Sequence, residues 1–69
     1  MGTPLKAYII DMINELNIYS KDRYDLSYRG KNKQPVLIQN NIHIIARGWK
    51  QIRYVVEWHY SLTLDKLYM

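Results

Sequence analysis

The chain contains no cysteine and no phenylalanine. Lack of cysteine excludes disulfides and thiolate zinc sites. His43 and His59 are too few for a structural metal cage unless several carboxylates stand beside them. No metal or cofactor is therefore expected. The three glycines, Gly2, Gly30 and Gly48, are isolated, so no Gly-rich phosphate loop is present. H-E-x-x-H and G-x-S-x-G arrangements are absent as well. No apolar run approaches the ~20 residues of a membrane-spanning helix. The opening "MGTPLKAYIID" lacks the apolar core and cleavage site of a secretion signal. Lys6 occupies the position where a myristoylation signal carries Ser or Thr. These absences lead us to expect an intracellular, cytoplasmic protein that is not an enzyme.

What is present describes a small folded domain. Hydrophobic residues make up 48% of the 69-residue chain, a share suited to a packed core and too high for a disordered segment. A chain this short buries only ~60% of its unfolded surface. Such domains commonly lean on disulfides, metals or partner chains. With the first two excluded, unaided packing and self-association remain, and a homodimer has room.

The aromatics are seven Tyr and two Trp, so every one has a polar tip. Such side chains suit half-exposed positions. They are enriched at protein interfaces and in base stacking. A thin sheet with few fully buried sites would select them too.

Charge is unevenly placed. Between Arg29 and Arg53 lie Arg29, Lys31, Lys33, Arg47, Lys50 and Arg53, with no acid among them. That window carries +6, so the remainder of the +4 chain carries −2. A basic face that binds nucleic acid or an acidic protein follows from this asymmetry, as does a plainly solvated surface.

The spacing of Leu5, Ile9, Met12, Ile13 and Leu16 predicts a helix over Pro4–Leu16. Thr3 is its N-cap, Pro4 its first residue and Asn17 a left-handed stop. Tyr24, Leu26 and Tyr28 alternate with polar residues, which predicts a strand. Gly30 and Asn32 suit a turn with positive φ. "PVLIQ" reads as a second strand, with Pro35 expected at its first residue or on an edge. Asn40–Asn41 suits a hairpin turn.

The segment Ile42–Tyr60 fits two periods. As a helix, Ile42, Ile45, Trp49, Ile52 and Val56 form a seam that breaks at His59, with Gly48 in mid-helix. As strands, Ile52, Tyr54, Val56, Trp58 and Tyr60 share one face, in a run rich in β-branched and aromatic types. We expect strands at Ile42–Arg47 and Ile52–Ser61 joined by "GWKQ". The tail "LTLDKLYM" is left open between strand and helix. The expected fold is a single α+β domain over residues 1–69. Its N-terminal helix packs on an antiparallel three- to four-stranded β-meander.

In a meander the turns at 30–34 and 48–51 fall at the same end. Arg29, Lys31, Lys33, Arg47, Lys50 and Arg53 then converge, with Tyr28 and Trp49 between them. A cation beside a stacking aromatic is a recurrent way to hold single-stranded nucleic acid. We expect a non-catalytic binding protein that contacts nucleic acid, single strands above all, through this end. The alternative is a regulator or inhibitor that binds a larger enzyme or complex through Trp49, Tyr54, Trp58 and Arg53. Small size without catalytic motifs suits accessory proteins of viruses and mobile elements. Glu57 and His59 share a strand face on this reading, but the pair alone is too weak to make an acid–base site.

Overall fold

A computed structural model describes residues 4–68. Helix α1 spans Leu5–Tyr19, followed by β1 (Tyr24–Arg29), β2 (Gln34–Gln39) and β3 (His43–Arg47), then helix α2 (Trp49–Leu67). The strands form one antiparallel sheet in the order β1-β2-β3. The fold is α+β, an N-terminal helix, a β-meander and a C-terminal helix. Both helices lie against the sheet, with α1 nearest β1 and α2 over β2 and β3. Among the described residues no helix is long and apolar enough to cross a membrane.

In α1 the buried residues are Ile9, Ile13 and Leu16, at the spacing the sequence predicts. Pro4 is the N-cap and not, as the sequence predicts, the first helical residue: its ψ of 143° is extended, and its carbonyl accepts the Tyr8 N–H at 3.1 Å. The proposed cap, Thr3, lies outside the described residues. Asn17 does not end the helix, which runs to Tyr19. Its side chain instead grips β1: Nδ2 donates to the Tyr24 carbonyl at 2.8 Å, and Oδ1 accepts the Tyr24 N–H at 2.7 Å. Those two bonds fix where the first strand begins.

The β1–β2 turn places Gly30 at φ 79° and Lys33 at φ 49°. Asn32, expected to adopt positive φ, does not. A lysine therefore occupies a left-handed position that costs an L-residue roughly 1–2 kcal/mol. Asn40 and Asn41 both adopt positive φ, 55° and 64°, as the hairpin reading requires. β3 contains a bulge: Leu37 faces Ala46 and Ile38 faces Ile44, leaving Ile45 as the extra residue.

Pro35 is the second residue of the central strand, not the first residue or an edge position. Its carbonyl accepts the Gly48 N–H at 2.8 Å. The Gly48 carbonyl, which would have sought a proline N–H, accepts from Ile52 at 2.9 Å instead. The missing donor thus sits where β3 has already turned into α2, and no ladder bond is lost.

The largest departure from expectation is Ile52–Ser61, which is helix, not strand. Trp49, Lys50 and Gln51 form the first turn of α2, and "GWKQ" is no hairpin loop. Gly48 is not in mid-helix. It stands just before the helix at φ 80° and ψ 151°, a region essentially reserved for glycine. Ile52 and Val56 are fully buried, while Tyr54 and Trp58, assigned to the same strand face, are each 62% exposed. The tail left open in the sequence continues α2 to Leu67.

The core is Ile9, Ile13, Leu16, Tyr24, Leu37, Ala46, Ile52 and Val56. It lies between the helix layer and one face of the sheet.

Candidate nucleic-acid interface

β1 and β3 run in the same direction. The β1–β2 turn and the start of α2 therefore meet at one end of the sheet. Val36 pairs with Arg47 and Gln34 with Arg29, bringing all of Arg29, Lys31, Lys33, Arg47 and Lys50 to that end. Each of the five is exposed. Among the described residues the ion pairs are Arg23–Asp25 and Arg53–Glu57, both at 3.3 Å, so none of these five cations has a carboxylate partner.

Arg53 departs from the expected site. It lies one helical turn into α2, its Nε on Glu57 Oε1, on the side that faces α1. Glu57 also accepts from the Tyr8 hydroxyl at 2.9 Å, which holds that phenol above its ordinary value. Arg53 is therefore part of a helix–helix network, its charge matched.

Lys6 takes its place. Its Nζ lies 5.8 Å from the centroids of both the Tyr28 and the Trp49 rings. Those rings are 6.3 Å apart and inclined at 61°. Tyr28 is 47% exposed and Trp49 half-buried. Sequence reasoning missed Lys6 because it lies in α1, far from the acid-free window. Only the packing of α1 over β1 brings it to the basic end.

Both helices begin at this end, and neither has a side-chain cap or an acid in its first turn. The positive ends of the two helix dipoles thus reinforce the lysines and arginines. Gln51 reaches back to accept the Arg47 N–H at 2.6 Å, locking the strand to the helix start.

The Glu57–His59 pair has dissolved. On α2 the two point in different directions, and His59 meets Tyr24 instead: Nδ1 and the Tyr24 hydroxyl share a hydrogen bond of 2.8 Å. Gln39 donates to the same hydroxyl at 3.4 Å. Burial pushes the His59 pKa below its ordinary 6.5, with the Asp22 carboxylate pulling partly the other way. Burial raises Tyr24 above 10.0. His59 is thus neutral at neutral pH and serves the core. The helical seam reaches His59 without breaking, because Tyr24 satisfies its ring.

That depressed pKa has a measurable consequence. Between the folded-state value and 6.5 the unfolded chain binds a proton that the folded chain refuses. The stability from neutral His59 is complete above about 6.5 and falls as pH drops through that window. We expect the urea midpoint to hold level above about pH 6.5 and to decline below it, and the decline to flatten in His59→Gln. Equal slopes for the two proteins would contradict this role.

A cleft of about 620 Å³ lies toward the other end, between the α1–β1 loop and α2, with Tyr24, His59, Lys21 and Lys66 in its walls. None of the predicted basic-end residues lines it. Among the described residues no group of three or more His, Asp or Glu side chains is placed to hold a metal. No family model, curated protein or solved structure matches this chain.

Proposed function

We propose that this protein binds single-stranded nucleic acid at the end of the sheet where β1, β2 and α2 meet. One observation supports this most. Lys6 lies 5.8 Å from both rings of the Tyr28–Trp49 pair, Arg29, Lys31, Lys33, Arg47 and Lys50 share that end of the sheet, and among the described residues none of the six has a carboxylate partner. In this reading the lysines and arginines neutralise successive phosphates, and an unpaired base stacks on the exposed ring of Tyr28, with the half-buried Trp49 beside it. A duplex hides its base faces and gains only the charge contribution, so single strands bind more tightly.

The test is a titration of fluorescent oligonucleotides at several salt concentrations. Log affinity is expected to fall linearly with log salt, with a slope of about −0.7 for each phosphate neutralised on a single strand. For four to six contacts the slope is about −3 to −4. Quenching of Trp49 fluorescence should accompany binding in Trp58→Phe, where Trp49 is the sole indole. No binding at low salt would defeat the proposal. It would favour the alternative, a regulator whose exposed Tyr and Trp side chains engage a larger protein.

A further inference from the structure

We infer that the flank of α2 remote from α1, with the neighbouring edge of β3, is a self-association surface occupied by a second copy of this chain.

The flank is defined by what closes the others. Toward α1, α2 is sealed by the Tyr8–Glu57 and Tyr60–Glu15 hydrogen bonds. Toward the sheet it presents Ile52, Val56 and His59. On the remaining side helical spacing sets Gln51, Trp58 and Leu62, with Tyr54 at the outer border, and the stripe is uncharged as far as Asp65. Tyr54 and Trp58 are 62% exposed and Leu62 45%. The strand beside this flank carries a bulge at Ile45 but no charged guard upstream of Arg47. β1, the other edge, carries Asp25 and Arg29, the kind of charge that deters edge pairing. β3 upstream of Arg47 reads His43, Ile44, Ile45 and Ala46, without Lys, Asp, Glu or Pro. Ile42, just before it, is 75% exposed, and Ile44 is 38% exposed.

Two-fold symmetry makes this surface complementary to itself. The contact of His59 with Tyr24 shows that α2 runs back along the sheet from Gly48. The midpoint of Tyr54 and Trp58 is about 10 Å along α2 from Trp49, at about 1.5 Å per residue. Ile44 is about 10 Å back along β3 from Arg47, at about 3.3 Å per residue. Both therefore lie at one level. A single axis there sets Trp58 of each copy on Tyr54 of the other and brings the two β3 edges together around Ile44. Such a contact uses the same patch twice, as closed dimers do.

The area is sufficient for a weak dimer. At 62% exposure the two rings offer on the order of 250 Å² per copy. With Leu62, Ile42, Ile44 and the strand edge, the total over both copies is on the order of 1,000 Å², the lower bound for a specific interface. The axis directs the two basic ends away from each other, so one dimer can hold two strands.

Sedimentation of the whole chain between about 10 μM and 1 mM tests this, because dimerisation is driven by mass action. A monomer–dimer equilibrium is expected, and it should vanish in Tyr54→Lys/Trp58→Lys. In Trp49→Phe, where Trp58 is the sole indole, emission should shift to the blue as dimer forms. An 8.3 kDa monomer throughout, or a dimer insensitive to both substitutions, would overturn the inference. Neither result bears on the proposed oligonucleotide binding, which would use the end of the sheet at Arg29, Lys31, Lys33, Arg47 and Lys50 and not this flank.

Discussion

Ile52→Ala is expected to destabilise the protein by about 2–5 kcal/mol, the usual range for emptying a buried aliphatic site. A domain of this size has a total stability of only about 3–10 kcal/mol. The variant should therefore be largely unfolded on warming, and its urea midpoint should drop steeply. The reason is position. Ile52 is fully buried, in the first full turn of α2, and contacts the core made by Ile9, Leu37 and Ala46. The informative partner is Tyr54→Ala. On a strand, residues 52 and 54 would share a face and both substitutions would be costly. On α2 they stand 200° apart, and Tyr54 is 62% exposed. Tyr54→Ala should thus change monomer stability by no more than about 0.5 kcal/mol, the range of ordinary surface substitutions. Measured at low concentration, where self-association does not contribute, similar losses for both would refute the helix.

Reversing the charge of the basic end is expected to abolish oligonucleotide binding while leaving the fold intact. In Lys31→Glu/Lys33→Glu/Arg47→Glu/Lys50→Glu, four phosphate contacts are replaced by repulsion. Each contact contributes close to one order of magnitude at low salt through counterion release, so affinity should fall by at least about 10³-fold. All four side chains are exposed and outside any ion pair among the described residues. Their loss therefore leaves no buried group unsatisfied, and thermal stability should stay within about 1 kcal/mol of the parent. Arg53→Glu is the control. Arg53 already pairs with Glu57, so its reversal should weaken the helix pair more than the binding. Oligonucleotide affinity unchanged in the fourfold variant would rule the basic end out as the binding surface.

The sequence misled where an amphipathic aromatic was counted as apolar. Tyr54, Trp58 and Tyr60 were what made Ile52–Tyr60 alternate. Their polar tips let them sit half in water on a helix just as well. Once they are set aside, Ile52 and Val56 remain, and a spacing of four fits one face of a helix as well as one face of a strand. β-branched residues favour strands only weakly, and packing overrides that preference. The objection from Gly48 failed for a different reason. Its cost applies inside a helix, and here Gly48 precedes one, in a conformation other residues avoid. The break at His59 was no break, since a histidine joins a core when a buried tyrosine hydroxyl meets it.

The basic end survived that error. Its convergence depends on Ile42–Arg47 being a strand, and β3 spans His43–Arg47. Any chain leaving β3 at Arg47, as hairpin or as helix, starts beside the β1–β2 turn. The sequence by itself therefore determined the first helix, the meander, the turns at Gly30 and at Asn40–Asn41 and the acid-free window, because each rests on local periodicity or local backbone preference. The tertiary structure alone decided that the last third is helical, that Lys6 joins the Tyr28–Trp49 pair, that Arg53 is neutralised, and that His59 closes the core on Tyr24. Each of those depends on which groups distant in the chain come within a few ångströms, and burial against a distant partner leaves no periodic mark of its own.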